Sequence, residues 1–339
     1  MKIVFRVDAT QKTGIGHIIR CLALSEELTR RGHTCTILTK IDNGDLLKRI
    51  KAFHVDVQKI DAKASLKKDL KTLLNFSRAN EIDWIVTDHY GIDTSYVKEI
   101  KKQGFHVLSV DDTSQMHYHS DIVVNQNVDA ECITFSIEPN TILLRGPAYV
   151  MLRDELLVRE KRKHHDSVKK ILITLGGSDP DNYLLKVLQS LDTVAKKIDV
   201  QAIVGPFNQF LSQLKSYAEQ SSANITLITS PEKMVDFYLE SDLAVSAGGS
   251  SCYELAYFGI PNVIITIADN QLGVAREFHR QHLGVYLGMK NQVKPEAIND
   301  KIKELIENHS LRKQMSKQGR NLIDGNGKKR IVDCMERYE

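Results

Sequence analysis

Gly14-Ile15-Gly16-His17, set between an apolar run and a helical periodicity, decides the fold. Ahead of it, Ile3-Val4-Phe5-Arg6-Val7 has the near-continuous apolar character of a short strand buried on both faces. Behind it, Ile18, Ile19, Cys21, Leu22, Leu24 and Leu28 recur at helical spacing, and Gly32 supplies a stop. The glycines therefore lie in a strand-to-helix turn, and His17 falls at the start of the helix. A helix start offers unpaired N–H groups and the positive end of the dipole, which suit a phosphate. The same positive end disfavours an imidazolium, so His17 is expected to be neutral and able to accept a proton. Gly-x-Gly turns are common in nucleotide-binding folds, and a His at a helix start can also be a plain cap.

Further along, the same rhythm repeats. Thr34-Cys35-Thr36-Ile37-Leu38, Val55-Asp56-Val57, Trp84-Ile85-Val86-Thr87, His106-Val107-Leu108-Ser109-Val110, Ile122-Val123-Val124-Asn125 and Thr141-Ile142-Leu143-Leu144 read as strands, with helices over Leu66–Ala79 and residues 96–103. Residues 147–170 break the pattern with the basic run Arg159-Glu160-Lys161-Arg162-Lys163-His164-His165, read as a solvated linker. The alternation then restarts at Ile171-Leu172-Ile173-Thr174-Leu175 and Gly176-Gly177-Ser178-Asp179-Pro180, where Asp179 reads as an N-cap and Pro180 as the first helical position. Strands at 200–204, 225–228, 243–246 and 263–266 follow, and helices at 295–308 and 311–323 close the chain. Such alternation means parallel sheets wrapped on both faces. The expected fold class is α/β, with two doubly wound Rossmann-type domains facing a cleft. The expected boundaries are residues 1–150 carrying the His, a linker at 151–164 and a nucleotide-binding domain at 165–339.

The totals bound the function. The chain has 339 residues, 42% hydrophobic and 26% charged, enough for two cores. Its 46 basic and 43 acidic residues nearly balance, with no basic stripe, so no nucleic-acid partner is expected. Five scattered cysteines, none at CxxC spacing, indicate neither a zinc site nor a disulfide framework. With no signal-peptide pattern and no membrane-spanning apolar run, a cytoplasmic location is expected. The sequence is silent on oligomeric state.

The polar clusters fall after strands, where ligands of open α/β sheets bind. In Ala247-Gly248-Gly249-Ser250-Ser251-Cys252-Tyr253-Glu254 the glycines let backbone approach a ligand. Ser250 and Ser251 there begin a helix that can cradle a diphosphate, and Glu254 could accept from both ribose hydroxyls. The plainer reading is a capped glycine turn whose Glu suits the dipole. Ala268-Asp269-Asn270-Gln271 suits sugar hydroxyls or acetamido groups, and equally a solvated turn. Asp88-His89-Tyr90 could supply an acid, a base or a sugar-contacting phenol, while Asp88 could equally cap a helix. Of Asp111 and Asp112, neighbours that face opposite ways, at most one should enter the cleft. Asp179-Pro180-Asp181 spells the Asp-x-Asp of metal-dependent sugar transferases, but a Pro at a helix start accounts for it, and no metal is expected.

Taken in order, these motifs resemble the family of UDP-2,4-diacetamido-2,4,6-trideoxy-β-L-altropyranose hydrolases of the pseudaminic acid pathway. That family has the GT-B fold and is related to the glycosyltransferase that makes lipid II. The likeness covers nearly the whole chain. It rests on Arg6-x-Asp8 with Gly14-x-Gly16-His17-x-x-Arg20, on Asp88-His89-Tyr90, on Gly176-Gly177-Ser178-Asp179, on the run from Ala247 to Glu254 and on Asp269-Asn270-Gln271. The resemblance implies an inverting, metal- and cofactor-independent hydrolase that takes a UDP-sugar and releases UDP and free sugar. His17 would be the general base, with Arg6, Asp8, Arg20, Tyr90, Asn270 and Gln271 around the sugar. Gly14, Gly16, Gly176, Gly177, Gly248, Gly249, Ser250, Ser251 and Glu254 would hold the nucleotide. A glycosyltransferase of the same fold, or a non-catalytic sugar-nucleotide-binding protein, are the alternatives.

Overall fold

The structure is a computed structural model that describes residues 1–10, 14–158, 162, 165–194, 197–229 and 231–338. The chain divides into two compact units, Met1–Asp154 with Gly325–Glu339, and Glu155–Asp324.

The N-terminal unit is built on strands β1 (Lys2–Val7), β2 (Thr34–Thr39), β3 (Asp56–Lys59), β4 (Trp84–Asp88) and β5 (His106–Val110). A short ribbon of β6 (His117–Tyr118) and β8 (Ser136–Ile137) flanks β7 (Ile122–Asn125) in sequence, and β9 (Ile142–Arg145) completes the set. The main sheet runs β3-β2-β1-β4-β5-β7-β9, parallel throughout. Helices α1 (Gly16–Arg30), α2 (Gly44–Lys51), α3 (Leu66–Ala79) and α4 (Thr94–Lys102) make the crossovers. Ile3, Val4, Phe5, Ile85, Val86 and Leu108 are fully buried, as strands covered on both faces require.

The C-terminal unit repeats this plan with β10 (Lys170–Thr174), β11 (Asp199–Val204), β12 (Asn224–Thr229), β13 (Leu243–Ala247), β14 (Asn262–Thr266) and β15 (Val285–Met289), ordered β12-β11-β10-β13-β14-β15. Its helices are α5 (Tyr183–Leu191), α6 (Leu211–Gln220), α7 (Val235–Glu240), α8 (Ser251–Phe258), α9 (Leu272–Arg280), α10 (Pro295–Glu307) and α11 (His309–Leu322). In each sheet the order reverses beside the first strand, at β1/β4 and at β10/β13. That is where open doubly wound sheets leave a crevice beyond their strand ends.

Three sequence expectations change. The chain does not close on α11: α12 (Gly327–Arg337) follows and packs on α1, so the last segment returns to the N-terminal unit instead of ending a 165–339 domain. The Cα of Gly327 lies so close to the backbone of Tyr149 and Val150 that a Cβ would sit 2.2 Å from the Val150 carbonyl oxygen. The basic run is not wholly solvated either. Arg162 is buried and donates to the carbonyls of Ser241, Phe258 and Gly259, which end α7 and α8. Residues 159–161, 163 and 164 of the expected linker lie outside the described residues. Finally, α5 starts three residues beyond Pro180. Asn182, at φ 51°, precedes it, and the Asp179 carboxylate reaches forward to accept the N–H groups of Tyr183 and Leu184 at 2.7 and 2.8 Å.

Candidate active site

At the β1/β4 switch, the register pairs Val7 with Asp88, the last residue of β4. The turn after β1 closes with Gly14 at φ +70°, its N–H on the Thr10 carbonyl, and α1 opens at Gly16. One step into the helix, His17 is buried, and its Nδ1 lies 2.5 Å from Asp88 Oδ1. An ionised carboxylate only accepts, so the Asp88 contact suits a proton on Nδ1; Arg20 Nη2, itself a donor, also lies 2.9 Å from that nitrogen. Burial alone would push the Asp88 carboxyl up, yet Arg20 and His17 hold it well below the usual carboxylate range. Arg20 makes a bidentate pair with Asp88, both contacts at 2.6 Å, and reaches Asp112 Oδ1 at 2.7 Å. The Tyr90 hydroxyl donates to the other Asp112 oxygen at 3.2 Å, and its ring meets the His17 ring edge-on, centroids 4.5 Å apart. Tyr90 remains 42% exposed, the one member of this group that presents a broad face to solvent. Asp111 turns aside and accepts the N–H groups of Thr113 and Ser114, so only one of the adjacent pair joins the group.

A second buried network lies beside it. Arg6 donates Nε and Nη2 to Asp69 of α3, at 2.9 and 2.7 Å, and Nη2 also to Asp8 at 2.7 Å. Asp8 further accepts from the Lys40 N–H, the Thr39 hydroxyl and His89 Nε2. His89 has a defined tautomer, because its Nδ1 accepts the Gly91 N–H at 2.9 Å. Its ring also explains the glycine: a Cβ on Gly91 would come within 2.6 Å of it. Burial raises Asp8, but His89 and Arg6 hold it well below the ordinary range.

At the β10/β13 switch the chemistry is different. Gly176, at φ +89°, and Gly177 press against β11's exit, where a Cβ on Gly205 would meet both their carbonyl oxygens at 2.5 Å. The start of α5 is occupied by its own Asp179 carboxylate, whereas Ser250, which precedes α8, makes no side-chain cap. Gly248 lies under Gln271 and Thr266, and a Cβ there would stand 3.0 Å from the Gln271 backbone oxygen. Gln271 itself accepts the Ile267 N–H at 2.9 Å and so braces the turn that exposes Asn270. Glu254 is buried, one turn into α8, and accepts the Tyr238 hydroxyl.

The sequence-expected residues therefore form two sets. Arg6, Asp8, Gly14, Gly16, His17, Arg20 and Tyr90 gather around β1/β4, and Gly176, Gly177, Gly248, Gly249, Ser250, Ser251, Glu254, Asn270 and Gln271 around the C-terminal ends of β10, β13 and β14. Asp88 as the partner of His17, together with Asp69, Lys40 and Tyr238, was not assigned from sequence. Their signal is three-dimensional, for His17 and Asp88 are 71 residues apart.

Among the described residues no helix is long and apolar enough to cross a membrane. Residues 171–334 match the family model of the glycosyltransferase family 28 C-terminal domain. The chain is 25% identical over 341 residues to the spore coat polysaccharide biosynthesis protein SpsG of Bacillus subtilis, covering 99% of this chain and 98% of that one. It is 26% identical over 253 residues to the UDP-2,4-diacetamido-2,4,6-trideoxy-beta-L-altropyranose hydrolase of Campylobacter jejuni, 74% of this chain and 86% of that one. An uncharacterised protein of Methanocaldococcus jannaschii is 27% identical over 78% of this chain, and the match spans only 55% of that longer protein. Among solved structures, MurG of Acinetobacter baumannii superposes with a TM-score of 0.69 at 17% identity, covering 99% of this chain and 100% of that one. A putative UDP-N-acetylglucosamine 2-epimerase of Listeria monocytogenes gives 0.68 at 15% identity, over 100% and 96%. The chain has the two-domain GT-B fold and is related to proteins of sugar-nucleotide and polysaccharide metabolism.

Proposed function

We propose that this chain hydrolyses a UDP-linked diacetamido-trideoxy hexose at its anomeric C–O bond, giving UDP and the free sugar with inversion, for nonulosonic acid synthesis. The observation that carries the reading is the His17–Asp88 pair at the strand reversal of the N-terminal sheet, which in this reading leaves Nε2 to act as the base. Nε2 takes a proton from water, the water oxygen bonds to the anomeric carbon, and the bonding pair to the glycosidic oxygen leaves with UDP. One displacement inverts the centre. The electrostatics favour this step. Arg20 neutralises one of Asp88 and Asp112, so around a neutral His17 one negative charge is left over, and it is balanced when the ring becomes imidazolium. Tyr90 and Asn270 would contact the sugar, with Gln271 bracing the turn.

The nucleotide is assigned to the C-terminal unit. The N–H groups at the uncapped start of α8, beside Gly248 and Gly249, suit a diphosphate, and Glu254, positioned by Tyr238, suits the ribose. Gly14 and Gly16 in the N-terminal unit and Gly176 and Gly177 in the C-terminal one are likewise assigned to phosphate by the resemblance. Arg6 and Arg20 are committed to carboxylate partners, and Asp8 to Arg6, Lys40 and His89, so their part is to hold the site's shape and charge. No metal or cofactor has a role in this reaction.

The likeness to the Campylobacter hydrolase supports this reading, while the family 28 match supports a second one, transfer of the sugar to an acceptor hydroxyl. Hydrolysis of the UDP-sugar in oxygen-18 water tests both. Label in the sugar, at a rate independent of acceptor, is the expected result. Label in UDP would mean attack at phosphorus, and turnover only with an acceptor would mean transfer.

A further inference from the structure

A second cluster of chemistry-bearing side chains lies away from His17, on the β6–β8 ribbon. The two strands pair in parallel, His117 opposite Ser136 and Tyr118 opposite Ile137. Side chains alternate along a strand, so His117 and His119 share a face with Ser136 and Glu138, and the continued register brings His119 opposite Glu138. The opposite face carries Tyr118, buried to 1% exposure, which anchors the ribbon. Both imidazoles converge on one carboxylate oxygen: His117 Nε2 is 3.2 Å and His119 Nδ1 2.5 Å from Glu138 Oε1. One ligand atom from each of the three lies within 4.8 Å of the others.

We propose that His117, His119 and Glu138 bind a divalent transition-metal ion of the zinc class. Bonds of about 2.0–2.2 Å to nitrogen and oxygen set tetrahedral neighbours roughly 3.4 Å apart. His117 Nε2 already stands 3.2 Å from Glu138 Oε1, while His119 Nδ1, now 2.5 Å from it, would move outward to admit the ion. The ring of His117 is oriented from behind, its Nδ1 2.8 Å from the Ser136 hydroxyl, the kind of outer contact that fixes a ligating histidine. In the tautomer with Nδ1 donating to Ser136, the Nε2 lone pair is directed at an acceptor-only oxygen, and a cation between them satisfies both; without an ion the other tautomer donates from Nε2 to Glu138 instead. Two imidazoles and one carboxylate suit zinc, nickel, copper or cobalt; magnesium and calcium prefer all-oxygen sets. All three side chains are partly exposed, so an ion enters from solvent and water completes its shell. The site cross-links two segments 19 to 21 residues apart on the connections that lead from β5 to β9. It is a staple, with no part in the reaction proposed for His17.

The test uses the full chain, tag removed and chelator-treated. Zinc is titrated calorimetrically, and cobalt is followed by its visible absorption. One equivalent of zinc, a rise in Tm on adding it, and no response to magnesium are expected. Because the chain has 12 histidines, variants decide the location. His119→Ala and Glu138→Gln should each weaken zinc binding about tenfold or more and abolish the Tm rise. Their Tm in chelator, equal to that of the parent, checks folding, and Glu138→Gln keeps the side chain's shape should the histidine variant misfold. No stoichiometric uptake, or an affinity unchanged in the His117→Ala/His119→Ala double variant, overturns the proposal.

Discussion

The two strand reversals share a topology and differ in their chemistry. At β1/β4 the residues beyond the strands are charged and buried: Arg6, Asp8, Arg20, Asp69 and Asp88 have at most 6% exposure and are tied to one another by short ion pairs. At β10/β13 the corresponding loops are rich in glycine and serine, and α8 starts without a side-chain cap on its backbone amides. A proton acceptor must be held in one tautomer and one direction, which takes a fixed charge lattice. A diphosphate needs several donors and close approach, which backbone supplies without a side chain in the way. On the proposed reading, the same fold element serves chemistry in one unit and grip in the other.

The sharpest way to break this division is His17→Ala. Turnover of a UDP-sugar should fall about 10²–10⁴-fold while the calorimetric Kd for UDP stays as in the parent. Loss of UDP binding together with turnover would erase the contrast. Asp88→Asn comes next. It should lower kcat about a hundredfold or more, with KM nearly constant, because an amide can present its N–H to Nδ1 and favour the wrong tautomer. The same variant sharpens the pH behaviour. Asp88 and Asp8 lie lower in the folded chain than unfolded, so their stabilisation is present above the ordinary carboxylate pKa and is lost as pH falls below it. The urea midpoint of the parent should drop between about pH 5 and 3, and that of Asp88→Asn should drop less.

Arg6→Met tests the lattice itself. It leaves Asp69 and Asp8 short of their buried cation and should cost about 3–5 kcal/mol in urea unfolding, with UDP affinity of the folded fraction unchanged. The smallest effect is expected at Glu254→Ala, which should weaken UDP binding by about 1–2 kcal/mol and leave the rate from the saturated complex within a few-fold. An unaltered UDP affinity would move the ribose contact elsewhere.

Much of the frame was legible because its strands are short, apolar and bounded by glycine or acid. Leu66–Ala79, His106–Val110 and Ile122–Asn125 fall at the residues that their periodicity marks. β15 was not, for its short apolar run Val285-Tyr286-Leu287 is broken by Gly288, which sits at φ +133° beside a register shift from β14. His17 stood out through its place after two glycines. Its partner Asp88 did not, because only the pairing of β1 with β4 brings a residue 71 positions away to the ring. Asp69 and Tyr238 were invisible for the same reason: an acid in an amphipathic helix and a Tyr in a short one have ordinary surface readings until packing turns them inward. Arg162 shows the converse, a residue in a run of charges that the structure buries against carbonyls.

The return of α12 to α1 has a consequence for how the chain is made. Arg31 of the α1 end is joined to Asp333 and Glu336, and Lys328 is buried between Glu26 and Asp154. The N-terminal unit therefore cannot complete the wall over α1 until residues 325–339, which follow the whole of the other unit in sequence, have been made.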